Sequence, residues 1–278
     1  MTTVHHPVEG LERPMPSVVT VALARARVEL LMFVRDRRAL VFTFLFPLIL
    51  LLIFGSVFNG QVTSGVTFSQ YFVSGMIASG LVYTGFQNLA ISIPMEREDG
   101  TLKRLAGTPL PKAAYFAGKV GLVFVGMVAQ VTLLLVIGVA FFKVKLPASG
   151  EKWLTFGWLL LFGLLVCTLL GIAFSTIPKT GRGAPALVSP VVLVLQFTSG
   201  VFFVFSALPR WMQTLSSLFP LKWLCQGMRS VFLPDSSKFN ESAASWELGR
   251  VALVLAIWVV IGAVACATTF RWQRRDER

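Results

Sequence analysis

Acidic and basic side chains are concentrated in one short segment, residues 95–110, between two long apolar stretches. Its carboxylates come first and its cations follow: Glu96, Glu98, Asp99, then Lys103 and Arg104. On a short helix this order suits the macrodipole, because carboxylates are stabilised near the N-terminus and cations near the C-terminus. Four residues separate Glu98 from Leu102, and Gly100 from Arg104, so charged and apolar side chains can lie on different faces.

Pro109 and Pro111 would end this helix, because proline does not continue a helix. The pattern predicts a compact helix of about residues 95–107 that is offered to a partner. A solvated cytoplasmic loop would have the same charges, so charge alone leaves both interpretations open.

Catalytic and metal-binding motifs are absent from the sequence. There is no Gly-x-x-x-x-Gly-Lys-Ser/Thr sequence, so we expect the chain not to bind ATP itself, and His-Glu-x-x-His does not occur. The three cysteines, Cys167, Cys225 and Cys266, have no zinc or redox spacing. We therefore expect no bound metal or cofactor and no catalytic residue.

The composition is that of a membrane protein. Of 278 residues, 55% are hydrophobic and 14% are charged, whereas a soluble domain has about 25% charged residues. Apolar runs of about 20 residues recur, which is the length that crosses a bilayer. The net charge of +12 would suggest nucleic acid in a soluble protein. Here Lys and Arg cluster at the ends of apolar runs, so we expect no nucleic-acid partner.

The apolar runs predict an all-α polytopic membrane protein with six transmembrane helices. Residues 1–16 are predicted to be a flexible tail, and residues 17–38 an amphipathic helix at the membrane interface, capped by Ser17. Residues 39–278 would form the transmembrane domain. Pro47 should kink the first span. The six predicted spans are residues 39–58, 71–93, 113–142, 153–177, 184–205 and 248–270.

Two shorter apolar pieces, at about 209–219 and 221–232, come before the last span and are divided by Pro220. Neither is long enough to span. An amphipathic external loop is one interpretation.

The distribution of positive charge predicts the orientation. Most of the 25 lysines and arginines fall on one side if both termini are cytoplasmic. The charged segment 95–110 then faces the cytoplasm, as the positive-inside rule requires.

The order of residues in the charged segment resembles the loop between the second and third spans of ABC-2-type transporter permeases. The similarity lies in an acid-base-acid triplet, a Gly-Thr-Leu triplet and a Thr-Pro-Leu triplet that follow a span in that order. In this family the loop is a coupling helix that docks on a separate ATPase. The residues that would take this role are Glu96, Arg97, Glu98, Gly100, Thr101, Leu102, Arg104 and Leu105.

Two further stretches carry the resemblance. Arg35-Asp36-Arg37 with Pro47 resembles the entry to the first span, although the family often has proline where this chain has Arg37. The residues before the last span resemble paired re-entrant helices, which would occupy about 209–232. The residues that carry this second similarity are Pro209, Trp211, Pro220 and Arg229.

The resemblance implies an export permease that works with two copies of a cytoplasmic ATP-binding subunit, which would bind ATP and Mg. It also implies a second permease copy, identical or different, and a place in the bacterial cytoplasmic membrane, in contact with membrane lipid. The first and fifth spans would face the substrate path. The residues that would line it are Phe42, Phe46, Phe197, Phe202 and Phe203.

Aromatic composition favours an apolar substrate. There are 24 Phe but only 3 Tyr and 7 Trp, and a Phe-rich path would solvate a hydroxyl-rich chain poorly. We therefore expect a hydrophobic drug-like or lipid-like substrate, with polysaccharide or lipid-linked glycan as the alternative. A secondary carrier or channel is a further alternative, although the predicted span cores lack the ionisable residues that such carriers use. A membrane-embedded assembly or sensor subunit without a conduit also stays open.

Overall fold

The computed structural model describes residues 17–58, 60–63, 65–108, 111–241 and 243–269. The chain is mostly helical, and its α-helices are α1 Val18–Arg35, α2 Arg37–Leu40, α3 Phe46–Val57, α4 Phe68–Leu81, α5 Asn88–Glu98, α6 Thr101–Ala106, α7 Lys112–Phe142, α8 Gly150–Phe174, α9 Ala184–Thr198, α10 Arg210–Ser216, α11 Pro220–Phe232 and α12 Leu248–Thr269. Short 3₁₀ turns cover Phe205–Ala207 and Asp235–Asn240.

A small hairpin interrupts the helical fold. Strands β1, Gln61–Thr63, and β2, Val66–Thr67, pair antiparallel between α3 and α4. Gly65 in its turn has φ +80°, which glycine adopts at little cost. The hairpin covers only five strand residues, so the mostly helical structure is consistent with the all-α prediction.

Four of the predicted spans correspond to helices long and apolar enough to cross a membrane: Phe68–Glu98, Ala113–Phe142, Gly150–Phe174 and Leu248–Thr269. The first and fifth predicted spans correspond to shorter apolar helices, Thr43–Val57 and Ala184–Thr198. The fold is that of a multi-pass helical membrane protein. Whether these two shorter helices also cross stays a prediction.

The fifth predicted span, residues 184–205, is wrong at its C-terminal end. Helix α9 stops at Thr198, and Gly200 then takes φ +75°, a conformation that ends helices readily. Fifteen residues give α9 a length of about 22 Å, less than the roughly 30 Å of the hydrocarbon layer.

Two π-helical turns divide the long helices. Val41–Leu45 joins α2 to α3 and lies just before Pro47, which lacks the N–H that an α-helical bond to residue 43 would need. This wide turn lies next to the position where the sequence predicted a kink. The other, Val82–Gln87, joins α4 to α5 without any proline nearby, and the sequence analysis did not foresee it.

Helix α4 is the centre of the packing. All of its residues except Phe68 are buried, and α3, α7 and α11 pack around it. Every residue of α11 is also buried, between α4, α8 and α12. A single large apolar core therefore includes the region before the last span, and α11 is not a loosely attached external loop.

Of the two short helices before the last span, α11 starts and stops where the sequence indicated, whereas α10 stops at Ser216, three residues before the predicted end. Pro220 begins α11, and the turn before it contacts α12, because Trp258 Nε1 donates to the Leu218 carbonyl at 2.9 Å. Trp258 is the eleventh of the 22 residues of α12. The turn between α10 and α11 thus lies level with the middle of α12.

Helix α1 lies along α7. Its N-terminus is capped as predicted, since the Ser17 hydroxyl accepts from the Thr20 N–H at 3.2 Å. Close approach depends on Gly118 in α7, where a Cβ would lie 2.6 Å from Arg25 Cγ. The helix ends at Arg35, three residues before the predicted end, and its place at the membrane interface stays a prediction.

Candidate functional site

The charged segment forms two helices where the sequence predicted one. Helix α5 ends at Glu98, Gly100 adopts the left-handed conformation with φ +72°, and α6 begins at Thr101. The prediction of one helix over 95–107 is therefore wrong. Glu98 and Leu102 do not share a helical face, because the chain turns between them.

Glu96 points into the protein. The residue is 7% exposed, its Oε2 accepts from the Tyr115 hydroxyl at 3.0 Å, and its Oε1 accepts from the Lys119 ammonium. Arg25 Nη2 lies 3.9 Å from Glu96 Oε2. We therefore correct the expectation that Glu96 meets an ATPase directly. In this chain its carboxylate is buried among internal partners.

These contacts belong to a buried ion cluster, defined as Arg25, Glu29, Glu96, Tyr115 and Lys119. Lys119 Nζ lies 2.9 Å from Glu29 Oε2, and Arg25 also pairs with Glu29. Two cations and two carboxylates balance, which a low-dielectric interior requires. The cluster joins α1, α5 and α7 at one point next to α6.

Nothing in the local sequence pattern predicted the whole cluster. Arg25 and Glu29 have the i, i+4 spacing of a helical ion pair, and that was the available signal. The pairing of Lys119 with Glu29 and Glu96 joins residues 90 and 23 positions apart, so it depends on tertiary packing.

Glu98 ties the charged segment to the turn after α8. Its Oε2 accepts from the backbone N–H of Gly181 at 2.5 Å and of Arg182 at 3.1 Å. A Cβ on Gly181 would lie 2.6 Å from Met95 Cα, so the two backbones touch here. Nearby, Arg97 Nη1 donates to the Ser175 carbonyl at 3.4 Å.

Helix α6 presents an exposed basic face and an anchored apolar one. Leu102 is fully buried and Leu105 packs against the core. Lys103 and Arg104 are exposed, and Arg104 donates to the Thr101 hydroxyl at 3.2 Å. The predicted partner-facing residues thus divide: Arg104 faces outward and Leu102 faces inward. Pro109 and Leu110 lie outside the described residues.

A second buried charge pair fixes α11. Arg229 Nη1 donates to Glu241 Oε1 at 2.8 Å, and Nη2 donates to the Gly200 carbonyl just after α9. The guanidinium also lies 4.2 Å from the centre of the Tyr71 ring. The backbone turn that ends α9 is therefore stabilised by a residue of α11, which satisfies a polar group in an apolar setting.

The other residues predicted for the re-entrant region, about 209–232, differ in exposure. Pro220 is buried at the start of α11, whereas Pro209 is exposed before α10 and Trp211 is 65% exposed.

Three of the predicted path residues lie together: the ring centre of Phe197 is 4.8 Å from that of Phe202 and 6.1 Å from that of Phe203. Phe202 is 4% exposed and packs with Phe54 and Phe72, so its assignment to a path is corrected to the core. Phe197 and Phe203 are 41% and 44% exposed. Phe46 is half-buried, with its ring centre 6.3 Å from that of Tyr83. The side chain of Phe42 lies outside what the structure describes.

Metal binding has no support in the parts of the chain that the structure describes. Among them, no group of three or more His, Cys, Asp or Glu side chains could hold an ion. The charged groups instead bond to one another and to backbone atoms, as an arrangement that positions helices requires.

Four long apolar helices, a half-exposed α1 and a short basic helix packed beside α5 make this a multi-pass helical membrane protein. Residues 22–233 match the family model described as ABC-2 type transporter, and the chain belongs to that family. Permeases of this family work with an ATP-binding subunit and lack an ATP site of their own.

Similar proteins are transport permeases. The chain is 27% identical to the putative transport permease ycf38 of Porphyra purpurea over 226 residues, 78% of this chain and 77% of the relative. It is 25% identical to the inner membrane transport permease YadH of Escherichia coli (strain K12), over 66% of this chain and 70% of the relative. It is 26% identical to the probable multidrug ABC transporter permease YbhR of the same strain, over 64% of this chain and 46% of the relative.

Proposed function

We propose that this chain is the membrane-spanning subunit of an ATP-driven exporter, and that α6 with residues 107–108 is the docking surface for a cytoplasmic ATP-binding subunit. The main support for this proposal is that α6 has one buried apolar face and one exposed basic face. Leu102 anchors the helix in the core, while Lys103 and Arg104 face outward. Such a helix can bind a partner through its basic face while its apolar face stays packed in its own subunit.

Displacement of α6 would pass to several helices at once. Glu98 bonds to the turn that leads into α9, and Glu96 bonds to α7 and lies beside α1 through the buried ion cluster. These bonds make the cytoplasmic ends of α1, α5, α7 and α9 one connected unit. A partner that moves α6 and the adjoining end of α5 would therefore also move the start of α9, the fifth of the predicted spans and one of the two expected to face the path.

Charge reversal on the exposed face of α6 tests the docking surface. Lys103→Glu with Arg104→Glu should reduce retention of the ATP-binding subunit during purification, with the larger loss at low salt, where surface charges act over longer distances. Lys145→Glu, on an exposed residue after α7, is the matched control. Full retention and normal coupled transport by the double variant would contradict the proposal.

The proposed complex has two permease copies, identical or different, and two ATP-binding subunits, with ATP and Mg bound by the latter. Mass measurement of the purified complex would give this composition. A stable complex with one permease and one ATP-binding subunit would contradict it.

Both termini of the permease would be cytoplasmic in a bacterial membrane. In a cysteine-free background, Ser236→Cys and Lys145→Cys should react with an impermeant thiol reagent from outside, whereas Thr108→Cys should not. All three positions are exposed, so the labelling pattern reports the side of the membrane. The reverse pattern would overturn both orientation and docking.

The α10–α11 pair would re-enter the membrane from the outside. The contact of Leu218 with the middle residue of α12 supports this depth. Spin labels at Leu218 and Leu215, both exposed, should collide more with membrane-dissolved oxygen than a label at Ser236 does. Equal water accessibility at the three positions would favour the external-loop interpretation.

The transported molecule would be a hydrophobic drug-like or lipid-like compound. Exposed Phe197 at the end of α9 and exposed Phe203 just after this helix support an apolar path, and one relative is described as a probable multidrug permease. Stimulation of ATP hydrolysis in the reconstituted complex by apolar compounds is the expected result. Stimulation by lipid-linked glycans alone would favour the polysaccharide alternative, and flux without any ATP-binding subunit would favour a secondary carrier.

A further inference from the structure

A long apolar groove runs between α8, α9 and α12, and the start of α11 closes one end of it. The groove encloses about 380 Å³ and is lined almost wholly by aliphatic and aromatic side chains. Two threonines also line it, but Thr176 donates to the Ala173 carbonyl at 2.8 Å and Thr269 to the Ala265 carbonyl at 2.6 Å. Because both hydroxyls already bond within their own segments, the groove suits an apolar occupant.

The groove has the depth of one membrane leaflet. Along α12 its lining extends from Trp258 to Thr269, which is about 16 Å at 1.5 Å per residue. Half of the hydrocarbon layer is about 15 Å thick. Trp258 lies at the middle of α12, and Phe219 stacks on it with ring centres 6.4 Å apart. An apolar wall therefore ends the groove near the membrane midplane.

The opposite end of the groove leads to exposed positive charge. Thr176 and Ile177 are its last lining residues after α8, and the turn that follows carries Lys179 and Arg182. Both side chains are exposed, that of Arg182 to 95%. Cations at the cytoplasmic end of an apolar cleft match the headgroup of an anionic lipid.

We propose that this groove binds one acyl chain of an anionic phospholipid from the cytoplasmic leaflet, with its phosphate near Lys179 and Arg182. This assignment uses the orientation proposed above and requires that the exported molecule is not this phospholipid. The bound lipid is a resident of the membrane. Its headgroup contacts the same turn whose Gly181 and Arg182 N–H groups bond to Glu98. Lipid binding therefore stabilises the turn that holds the charged segment.

The experiment measures which lipid stays with the complex. The full complex is extracted from bilayers of equal phosphatidylglycerol and phosphatidylcholine, and retained lipid is counted by native mass spectrometry. Phosphatidylglycerol should be retained preferentially. Ala265→Phe fills the groove and should abolish this retention, whereas Val264→Phe, on an adjacent residue outside the groove, should not.

Charge removal gives a second measure that does not disturb packing. Replacement of Lys179 and Arg182 by Gln should weaken phosphatidylglycerol binding about fivefold for each residue, the effect of one cation near an anionic surface. Lys145→Gln should leave it unchanged. The anionic lipid should also raise ATP hydrolysis by the wild-type complex more than by the double variant.

Three results would overturn the proposal. The first is that the wild type retains phosphatidylglycerol and phosphatidylcholine equally, and that the Ala265→Phe variant does the same. The second is loss of permease pairing in Ala265→Phe with lipid retention unchanged, which would assign the groove to a second copy of the chain. The third is ATP-dependent removal of phosphatidylglycerol from the cytoplasmic leaflet, which would make the lipid a cargo.

Discussion

Removal of the Lys119 ammonium should destabilise the protein strongly. Lys119 is fully buried and pairs with two carboxylates, Glu29 and Glu96. In Lys119→Met, Arg25 is the cation that remains in the cluster to offset the charges of both carboxylates. Loss of one partner from a buried ion pair costs about 3–5 kcal/mol, because the remaining charge is left uncompensated in a low-dielectric interior. A cost of this size lowers the melting temperature by roughly 10 °C in a chain of this length.

A second variant separates the charge effect from the loss of packing. Lys119→Met combined with Glu96→Gln removes one positive and one negative charge, and Arg25 and Glu29 remain as a balanced pair. The double variant should therefore be more stable than Lys119→Met alone. The recovered coupling energy should lie within about 0.5–3 kcal/mol, the range for residues in one ion-pair network.

Thermal unfolding in detergent, followed by size-exclusion chromatography with fluorescence detection, measures both effects. Lys145→Met is the control on an exposed residue and should shift stability by no more than about 0.5 kcal/mol. A melting temperature of Lys119→Met equal to that of the wild type would contradict the role of charge balance. So would simple addition of the effects of the two substitutions.

The remaining predictions concern three other contacts: the Arg229–Glu241 ion pair, the close backbone approach at Gly181 and the hydrogen bonds that Glu98 accepts. Arg229→Met should lower the melting temperature by a similar amount, since it leaves a buried carboxylate unpaired, whereas exposed Arg210→Met should not. Gly181→Ala forces a methyl group against the α5 backbone and should cost about 1–3 kcal/mol in unfolding experiments; Gly150→Ala, in open space, is its control. Glu98→Ala should uncouple ATP hydrolysis from transport in the assembled complex, while Glu98→Gln, which keeps an acceptor oxygen, should retain coupling.

Local features of the sequence predicted the helices well. Runs of apolar residues gave the four long helices to within a few residues at most of their ends, and Ser17 and Pro220 marked helix starts because their effect is local. The end of α9 was missed, since the apolar run continues past Thr198. Its termination depends on Gly200 and on a guanidinium from another helix.

The sequence located the charged segment, but it did not show which of its side chains are buried and which are exposed. Charge order predicted one helix offered to a partner; α6 is a helix with exposed cations, and its binding to a partner stays a prediction. Burial of Glu96 depends on Lys119 and Tyr115 of α7. Those contacts are set by how α7 packs beside α5, which no local pattern records. Which charged side chains are exposed and which are buried therefore could not be predicted from the segment alone.

The π turns have a consequence for how chain length can vary among related proteins. A π turn holds one residue more than an α turn, so it amounts to a single-residue insertion that the helix absorbs in place. Deletion of one residue within Val82–Gln87 would restore regular i to i−4 bonding and leave α4 and α5 with the same faces toward their neighbours. The same deletion elsewhere in these helices would rotate all that follows by about 100°. Insertions and deletions among relatives should therefore collect at the two wide turns.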